Sequence, residues 1–307
     1  MPKISIVIVN WRTPELLRGC LNALGNDEHK DSFELYVVDN ASGDESLSIL
    51  SNEFSYVNVL VNEDNVGFSK ACNQVIPKAK GEYVLLLNPD TVVIDNAVSK
   101  LAAFLDNNPE CGAVGPKILN EDGTLQLACR RAFPSPAAAF FRLTYLSILF
   151  PGHPLFAKYN MTYIDPEKAA SVDALSGSCM MVRKNVIDKI GLLDEDIFMF
   201  GEDIDWCWRI KQAGWQVFYN PQAVIYHSHG AASRLRPIGT TFDLHAGMEV
   251  FYRKHLAQDY WPIFNQLVYI TIRLRALIFV MVNLIKAQMP KTGKVTLKER
   301  QIDKSSC

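Results

Sequence analysis

Through the first half of the chain, short unbroken apolar runs alternate with segments whose apolar positions recur at helical spacing. Residues 4–9 form a continuous β-branched run, as expected of a strand covered on both faces. Thr13-Pro14-Glu15 then reads as an N-cap with proline at the first helical position, and Leu16, Leu17, Cys20, Leu21 and Leu24 follow at helical spacing. Residues 34–38 read as a second strand, ended by the turn-forming run Asp39-Asn40-Ala41-Ser42-Gly43-Asp44. A third strand is expected over 56–61, a helix over 68–80 that Pro77 truncates, a fourth strand over 83–87 and a capped helix over 95–107. Strands alternating with helices predict an α/β fold with a doubly wound, mostly parallel sheet.

From about residue 113 the rhythm breaks. Strands are expected over 113–118, 124–129, 172–182, 215–219 and 224–227, and a helix over 201–213 that Gly214 ends. Two apolar stretches stand apart. Residues 137–159 are aromatic-rich, broken by Pro151 and Pro154, and carry Arg142 and Lys158; residues 260–285 contain Pro262, Arg273 and Arg275. A membrane-spanning helix needs about 20 largely uncharged apolar residues, and by that measure both fall short. They read either as interfacial elements lying on a membrane with their basic residues snorkelling, or as segments packed against the main domain. The tail after Met289 is polar and reads as disordered.

Composition narrows the class. A chain of 307 residues with 49% hydrophobic residues can bury a substantial core, and a net charge of −2 provides no field to gather nucleic acid. The seven cysteines include no Cys-x-x-Cys pair and several lie in apolar runs, so buried free thiols in a reducing compartment are expected. The N-terminus enters a strand directly, without a signal-peptide pattern, and a cytoplasmic protein is the expectation.

Candidate chemistry gathers where strands end. In open α/β sheets ligands bind at the carboxyl ends of strands. Asn10-Trp11, Asp39-Asn40, Asn65-Val66-Gly67 and Asn88-Pro89-Asp90 follow the first four strands, so each delivers polar groups to one rim, although turn capping explains any one alone. Asp90 stands where a carboxylate can grip a divalent ion on a diphosphate. Glu202, Asp203 and Asp205 open a helix, where the helix dipole favours acids. Beside aromatic residues, a carboxylate there can also accept a proton from a sugar hydroxyl. Trp206 and Trp208 suit either sugar stacking or the core. His227 and His229 end a strand-like run, and Asp90 with His227 suits Mg²⁺ or Mn²⁺, the imidazole leaning toward manganese.

These segments, in this order over residues 4 to 234, resemble inverting glycosyltransferases of family 2. Ser5-Ile6-Val7-Ile8-Val9-Asn10-Trp11, Val37-Val38-Asp39-Asn40-Ala41-Ser42-Gly43-Asp44, Asn65-Val66-Gly67-Phe68 and Leu87-Asn88-Pro89-Asp90 carry the resemblance in the first half. The Ser176-Gly177-Ser178-Cys179 segment, Gly201-Glu202-Asp203-Ile204-Asp205 and Tyr226-His227 carry it in the second. The resemblance implies a GT-A fold: a glycosyltransferase domain over 1–235, a nucleotide-sugar half (1–112) continuous with an acceptor half (113–235), a helical extension over 236–289 and a polar tail over 290–307. It implies that Val9, Asn10 and Asp39 hold the nucleoside, that Asn65, Gly67 and Asn88 line the donor, and that Asp90 and His227 bind the metal, with His229 the second choice. Asp203 would be the general base, and Ser176, Gly177, Ser178, Glu202 and Trp206 would shape the acceptor side. The usual Asp-x-Asp signature reads Asn88-Pro89-Asp90 here, removing one formal charge. That version looks like bacterial rhamnosyltransferases using dTDP-L-rhamnose, which suggests a dTDP- or UDP-sugar donor, a glycan or polyprenyl-linked acceptor, and a peripheral place on the plasma membrane's inner face. The competing readings are a nucleotidyltransferase, disfavoured because residues 10–14 lack glycine, and a non-catalytic glycan-binding scaffold.

Overall fold

The computed structural model describes residues 3–228 and 230–288, with no side-chain statement for 286–288. Its first half contains β1 (Ile4–Asn10), α1 (Pro14–Leu24), β2 (Phe33–Asp39), α2 (Ser46–Glu53), β3 (Asn58–Val61), α3 (Phe68–Asn73), β4 (Tyr83–Leu87), β5 (Thr91–Ile94), α4 (Ala97–Asn107) and β6 (Cys111–Leu119). Then follow β7 (Arg130–Arg131), α5 (Pro136–Leu143), α6 (Leu146–Leu149), β8 (Ala170–Val172), β9 (Ala174–Leu175), β10 (Cys179–Arg183), α7 (Lys184–Ile190), α8 (Glu202–Gln212), β11 (Gln216–His227), α9 (Pro237–Phe251) and α10 (Pro262–Gln288).

The main sheet runs β3-β2-β1-β4-β10-β6-β11-β5, with β8 paired to β11. From β3 to β4 every pairing is parallel, and β6 pairs with β11 in parallel; β10, β5 and β8 run antiparallel to their neighbours. The fold is α/β, as expected. β1 and β4 are covered on both faces, which is why their sequences are unbroken apolar runs. Helix α1 turns Leu17, Cys20, Leu21 and Leu24 into the same core. Six cysteines are buried and free, matching the expectation for all but Cys307, which lies outside the described residues.

Several elements differ from the sequence reading. The structure adds α2, α7 and β5. The helix expected over 68–80 ends at Asn73, before a separate turn at Ile76–Lys78. Residues 124–129 are no strand: one bridge, Leu119 to Leu125, follows the Gly123 turn, and Leu127–Cys129 is a 3₁₀ turn. The 172–182 run breaks into three strands, at Asp173 and at the Ser176-Gly177-Ser178 bend, whereas 215–219 and 224–227 join as one strand with a register shift between Asn220 and Val224. Thr13 does not cap α1; its hydroxyl donates to Asn10 Oδ1 at 2.7 Å. Pro262, at the first helical position, does not interrupt α10, and residues 262–285 are long and apolar enough to cross a membrane by length and composition. That corrects the expectation that this stretch falls short. The tail and His229 lie outside the described residues.

Candidate active site

The site is built where the strands' ends meet. Asn10 pairs in register with Asp39 at the carboxyl ends of β1 and β2. Asn10 Nδ2 donates to Asp39 Oδ1 at 3.2 Å, to Ser42 Oγ at 3.1 Å and to Ser46 Oγ at 2.8 Å, and its Oδ1 accepts from Thr13. With no exposed surface and its side chain engaged at both ends, Asn10 supports the Asp39 carboxylate. Asp39 Oδ2 accepts the Ser42 amide at 3.1 Å, which holds the carboxylate against the turn.

Asn40 organises the neighbouring loop. Its Nδ2 donates to Asn65 Oδ1 at 2.9 Å, and its Oδ1 accepts from Asn62 Nδ2 and the Val66 amide, both at 3.1 Å. Asn65 Oδ1 also accepts the Gly67 amide at 3.0 Å. Gly67 has φ +87°, and a Cβ there would lie 2.7 Å from Phe198, so this position requires glycine. The Phe68 amide donates to Phe198 O at 2.7 Å and Ser69 Oγ to Ile197 O at 2.6 Å. These bonds fasten the 65–69 segment to the stretch leading into α8.

β5 brings the metal candidates together. It pairs antiparallel with the end of β11, setting His227 opposite Thr91 and therefore beside Asp90. The Ser228 amide donates to Asp90 O at 2.9 Å, and His227 Nε2 lies 3.1 Å from Asp90 Oδ1 and 3.5 Å from Asn88 Nδ2. Gln126 fixes the ring. Its Nε2 donates to His227 O at 2.7 Å, which turns its Oε1 toward His227 Nδ1 at 3.0 Å. Nδ1 is therefore the N–H, and in the neutral ring the Nε2 lone pair faces the Asp90 carboxylate. Two electron-rich atoms held that way fit a shared cation, with Gln126 as the supporting partner that metal-bound histidines characteristically have. Among the described residues no cluster of three or more His, Cys, Asp or Glu forms a fuller protein ligand set.

The Ser176-Gly177-Ser178 bend connects this corner to α8. The Asn88 amide donates to Ser178 O at 2.9 Å, Ser176 and Ser178 hydroxyls lie 2.9 Å apart, and the Gly177 amide donates to Asp203 Oδ2 at 2.9 Å. Asp203 Oδ2 also accepts from Arg131 at 2.6 Å, while Oδ1 accepts the Ile204 amide at 2.8 Å. Burial opposes the charge on Arg131, but its negatively charged surroundings, Asp203 foremost, raise the guanidinium pKa. The side chains of Asp90 and His227 are each 8% exposed and that of Asp203 11%, so each retains some access to solvent.

The three acids opening α8 diverge. Glu202 is buried with Oε2 unpartnered, and burial, then Asp203, push its pKa up to about 8. Asp205 is bound to Arg209 and His255 and is structural. Trp206 has no exposed surface and its Nε1 donates to Gly191 O at 3.0 Å, so it packs in the core. Trp208 packs on Phe133, Phe251 and His255. A cleft of about 320 Å³ lies at the opposite end of β4, around Tyr83 and Arg183, and shares no residue with this site.

Sequence reasoning missed Gln126 and Arg131, and gave Asn40 only as one of the polar residues at the rim, without its part in holding the 62–67 loop. The Arg130-Arg131 doublet directly after an apolar run was the available signal, because arginine is rarely buried without a partner.

The fold is that of the GT-A glycosyltransferases. The Pyrobaculum calidifontis mannosyltransferase, solved with GDP-Man and Mn²⁺, has a TM-score of 0.57 at 16% identity, covering 96% of this chain and 76% of that one. GalNAc-T7, solved with UDP, GalNAc and Mn²⁺, has a TM-score of 0.57 at 17% identity, covering 89% and 55%. A family model described as "Glycosyltransferase like family 2" matches residues 2–238, and the chain belongs to that family. Similar proteins include the N-acetylglucosaminyl-diphospho-decaprenol L-rhamnosyltransferase of Mycobacterium tuberculosis, 29% identical over 202 residues. That match covers 62% of this chain and 65% of the relative. A low-salt glycan biosynthesis hexosyltransferase of Haloferax volcanii is 27% identical over 213 residues, covering 68% and 62%.

Proposed function

We propose that this protein is an inverting glycosyltransferase that moves a sugar from a nucleoside diphosphate to a hydroxyl of a glycan or lipid-linked acceptor in cell-envelope polysaccharide synthesis. The carrying observation is the 176–178 bend, which joins Asn88, two residues from the Asp90–His227 pair, to the Asp203 carboxylate. Asp203 takes the acceptor proton as the hydroxyl oxygen bonds to the anomeric carbon. The bond to the diphosphate oxygen breaks from the opposite face, and the configuration inverts. Asp90 and His227 would hold a divalent cation, Mn²⁺ or Mg²⁺, which would neutralise charge on the diphosphate. Asp39 contacts the base and the Asn65–Gly67 loop lines the donor. The 1–112 half serves the donor and the 113–235 half the acceptor. The Asn88-Pro89-Asp90 signature and the mycobacterial relative support dTDP-L-rhamnose as donor. The enzyme works in the cytoplasm, at the inner face of the plasma membrane.

Nucleoside diphosphate release from a panel of nucleotide sugars with Mn²⁺ and a lipid-linked N-acetylglucosamine acceptor tests this reading. Turnover should require a divalent cation and collapse in Asp203→Asn and Asp90→Ala. Full turnover in both variants overturns the mechanism, and acceptor binding without nucleotide-sugar binding would identify a scaffold instead.

A further inference from the structure

The helical C-terminal elements and the insertion between β7 and β8 expose a large apolar surface that the transfer reaction does not use. Ile263, Leu267, Ile270, Leu274, Leu277 and Ile278 of α10 are each more than half exposed. Within residues 262–285 an 18-residue window has mean hydropathy 1.9, and 6% of that window is buried. Protein interfaces are on the whole no more apolar than the rest of a surface, so this composition favours lipid over a protein partner. At about 1.5 Å per residue the stretch spans roughly 36 Å, enough to cross a hydrocarbon layer of about 30 Å.

The polar contacts of α10 argue against a crossing. Arg273 reaches Glu249 at 2.6 Å and 3.1 Å, Asn283 reaches Thr241 Oγ1 at 3.0 Å, and Arg275 meets His245 Nε2 and Met248 Sδ at 3.4 Å. All of these partners lie on α9. That helix belongs to the globular body: a Cβ on Gly247 would lie 2.1 Å from Phe200 O, and Phe251 is 3% exposed against Phe133 and Trp208. Carrying α10 across a bilayer would pull this body into hydrocarbon.

The insertion springs from the same side: Phe133, at its start, stacks on Phe251 of α9 with ring centroids 6.4 Å apart. It carries Arg142 on α5, and Arg275 of α10 meets His245, Met248 and the Phe279 ring. Among the described residues neither Arg142 nor Arg275 has a carboxylate within ion-pair distance. Guanidiniums without a counterion are complementary to phosphate. Around them Leu143, Tyr145, Ile148 and Leu149 are 60–68% exposed. Trp261, 82% exposed at the foot of α10, is the residue type that settles at the headgroup level.

We propose that α10, the outer face of α9 and the insertion carrying α5 and α6 dock in the plane of a lipid bilayer, α10 lying along the surface, with Arg142 and Arg275 against lipid phosphate headgroups. The proposal is independent of the sugar-transfer reading, and its test involves no turnover.

The full chain is floated with preformed phosphatidylethanolamine/phosphatidylglycerol vesicles. Bound protein is then treated with a membrane-impermeant maleimide that reads Cys307, the six described cysteines being buried. Binding, with Cys307 labelled from outside, is expected. A basic residue near an anionic surface contributes about fivefold to partitioning, so Arg142→Gln should weaken binding about fivefold and Arg142→Gln with Arg275→Gln about thirtyfold. Arg142 is exposed, so the single variant keeps the test valid should the double variant misfold. Failure to float, undiminished binding of Arg142→Gln, or labelling of Cys307 only after permeabilisation would each overturn the proposal, the last by showing a crossing helix.

Discussion

The Arg131 guanidinium lies 2.6 Å from Asp203 Oδ2, the two side chains being 13% and 11% exposed. Arg131 ends β7, and the next residue closes the insertion, Ala132 N donating to Tyr159 O at 2.8 Å. The guanidinium and the Gly177 amide both act on Oδ2, so they fix the carboxylate's orientation. We expect Arg131→Met to lower kcat about a hundredfold, the scale of a displaced catalytic group, and Arg131→Lys to recover part of it. Removing one partner of a buried ion pair costs about 3–5 kcal/mol, so melting curves must accompany the kinetics. Unchanged kcat in a folded Arg131→Met protein would contradict this positioning role.

Gln126 sets the face that His227 turns to Asp90. Gln126→Leu should weaken Mn²⁺ affinity by about 10- to 100-fold, the usual effect of losing a supporting partner behind a metal-bound histidine. Mn²⁺-dependent thermal stabilisation measures it directly, and chelation should remove both the stabilisation and the turnover.

Glu202 links stability to pH. Its folded pKa, about 8, lies above the ordinary value of 4.5, so between these pH values the native state holds a proton that the unfolded chain has lost. Stability contributed by the protonated group is complete below about pH 4.5, declines as pH rises toward 8, and is flat beyond. The slope from one group is at most about 1.4 kcal/mol per pH unit. Denaturant titrations across this range should show the decline in the parent and lack it in Glu202→Gln. A parallel pH dependence in both proteins would sink the assignment.

Gly67→Ala should destabilise the protein by roughly 1–3 kcal/mol, because the new methyl meets Phe198 and the backbone is left-handed. Since this loop fastens α3 to the segment before α8, the donor KM should rise in the same variant. Equal melting temperatures would show that the close approach is relaxed at no cost.

Much of this protein was legible in its sequence. β1 and β4 are covered on both faces, so they could only be continuous apolar runs, and α1 carries its core face at helical spacing. The polar residues after the first four strands likewise stand at the strands' carboxyl ends. What the sequence did not show was long-range pairing. β5 is four residues long and carries no pattern of its own, yet its register against β11 sets His227 beside Asp90. Trp206 and Asp203 sit three residues apart at the start of one helix, and only packing sends one into the core and the other to Arg131. Local propensity and burial are written in neighbouring residues, so sequence alone determined the principal strands and helices of the first half and the family. Which side chains face one another depends on register and packing between segments more than seventy residues apart, as for Arg131 and Asp203, and that only the tertiary structure decided.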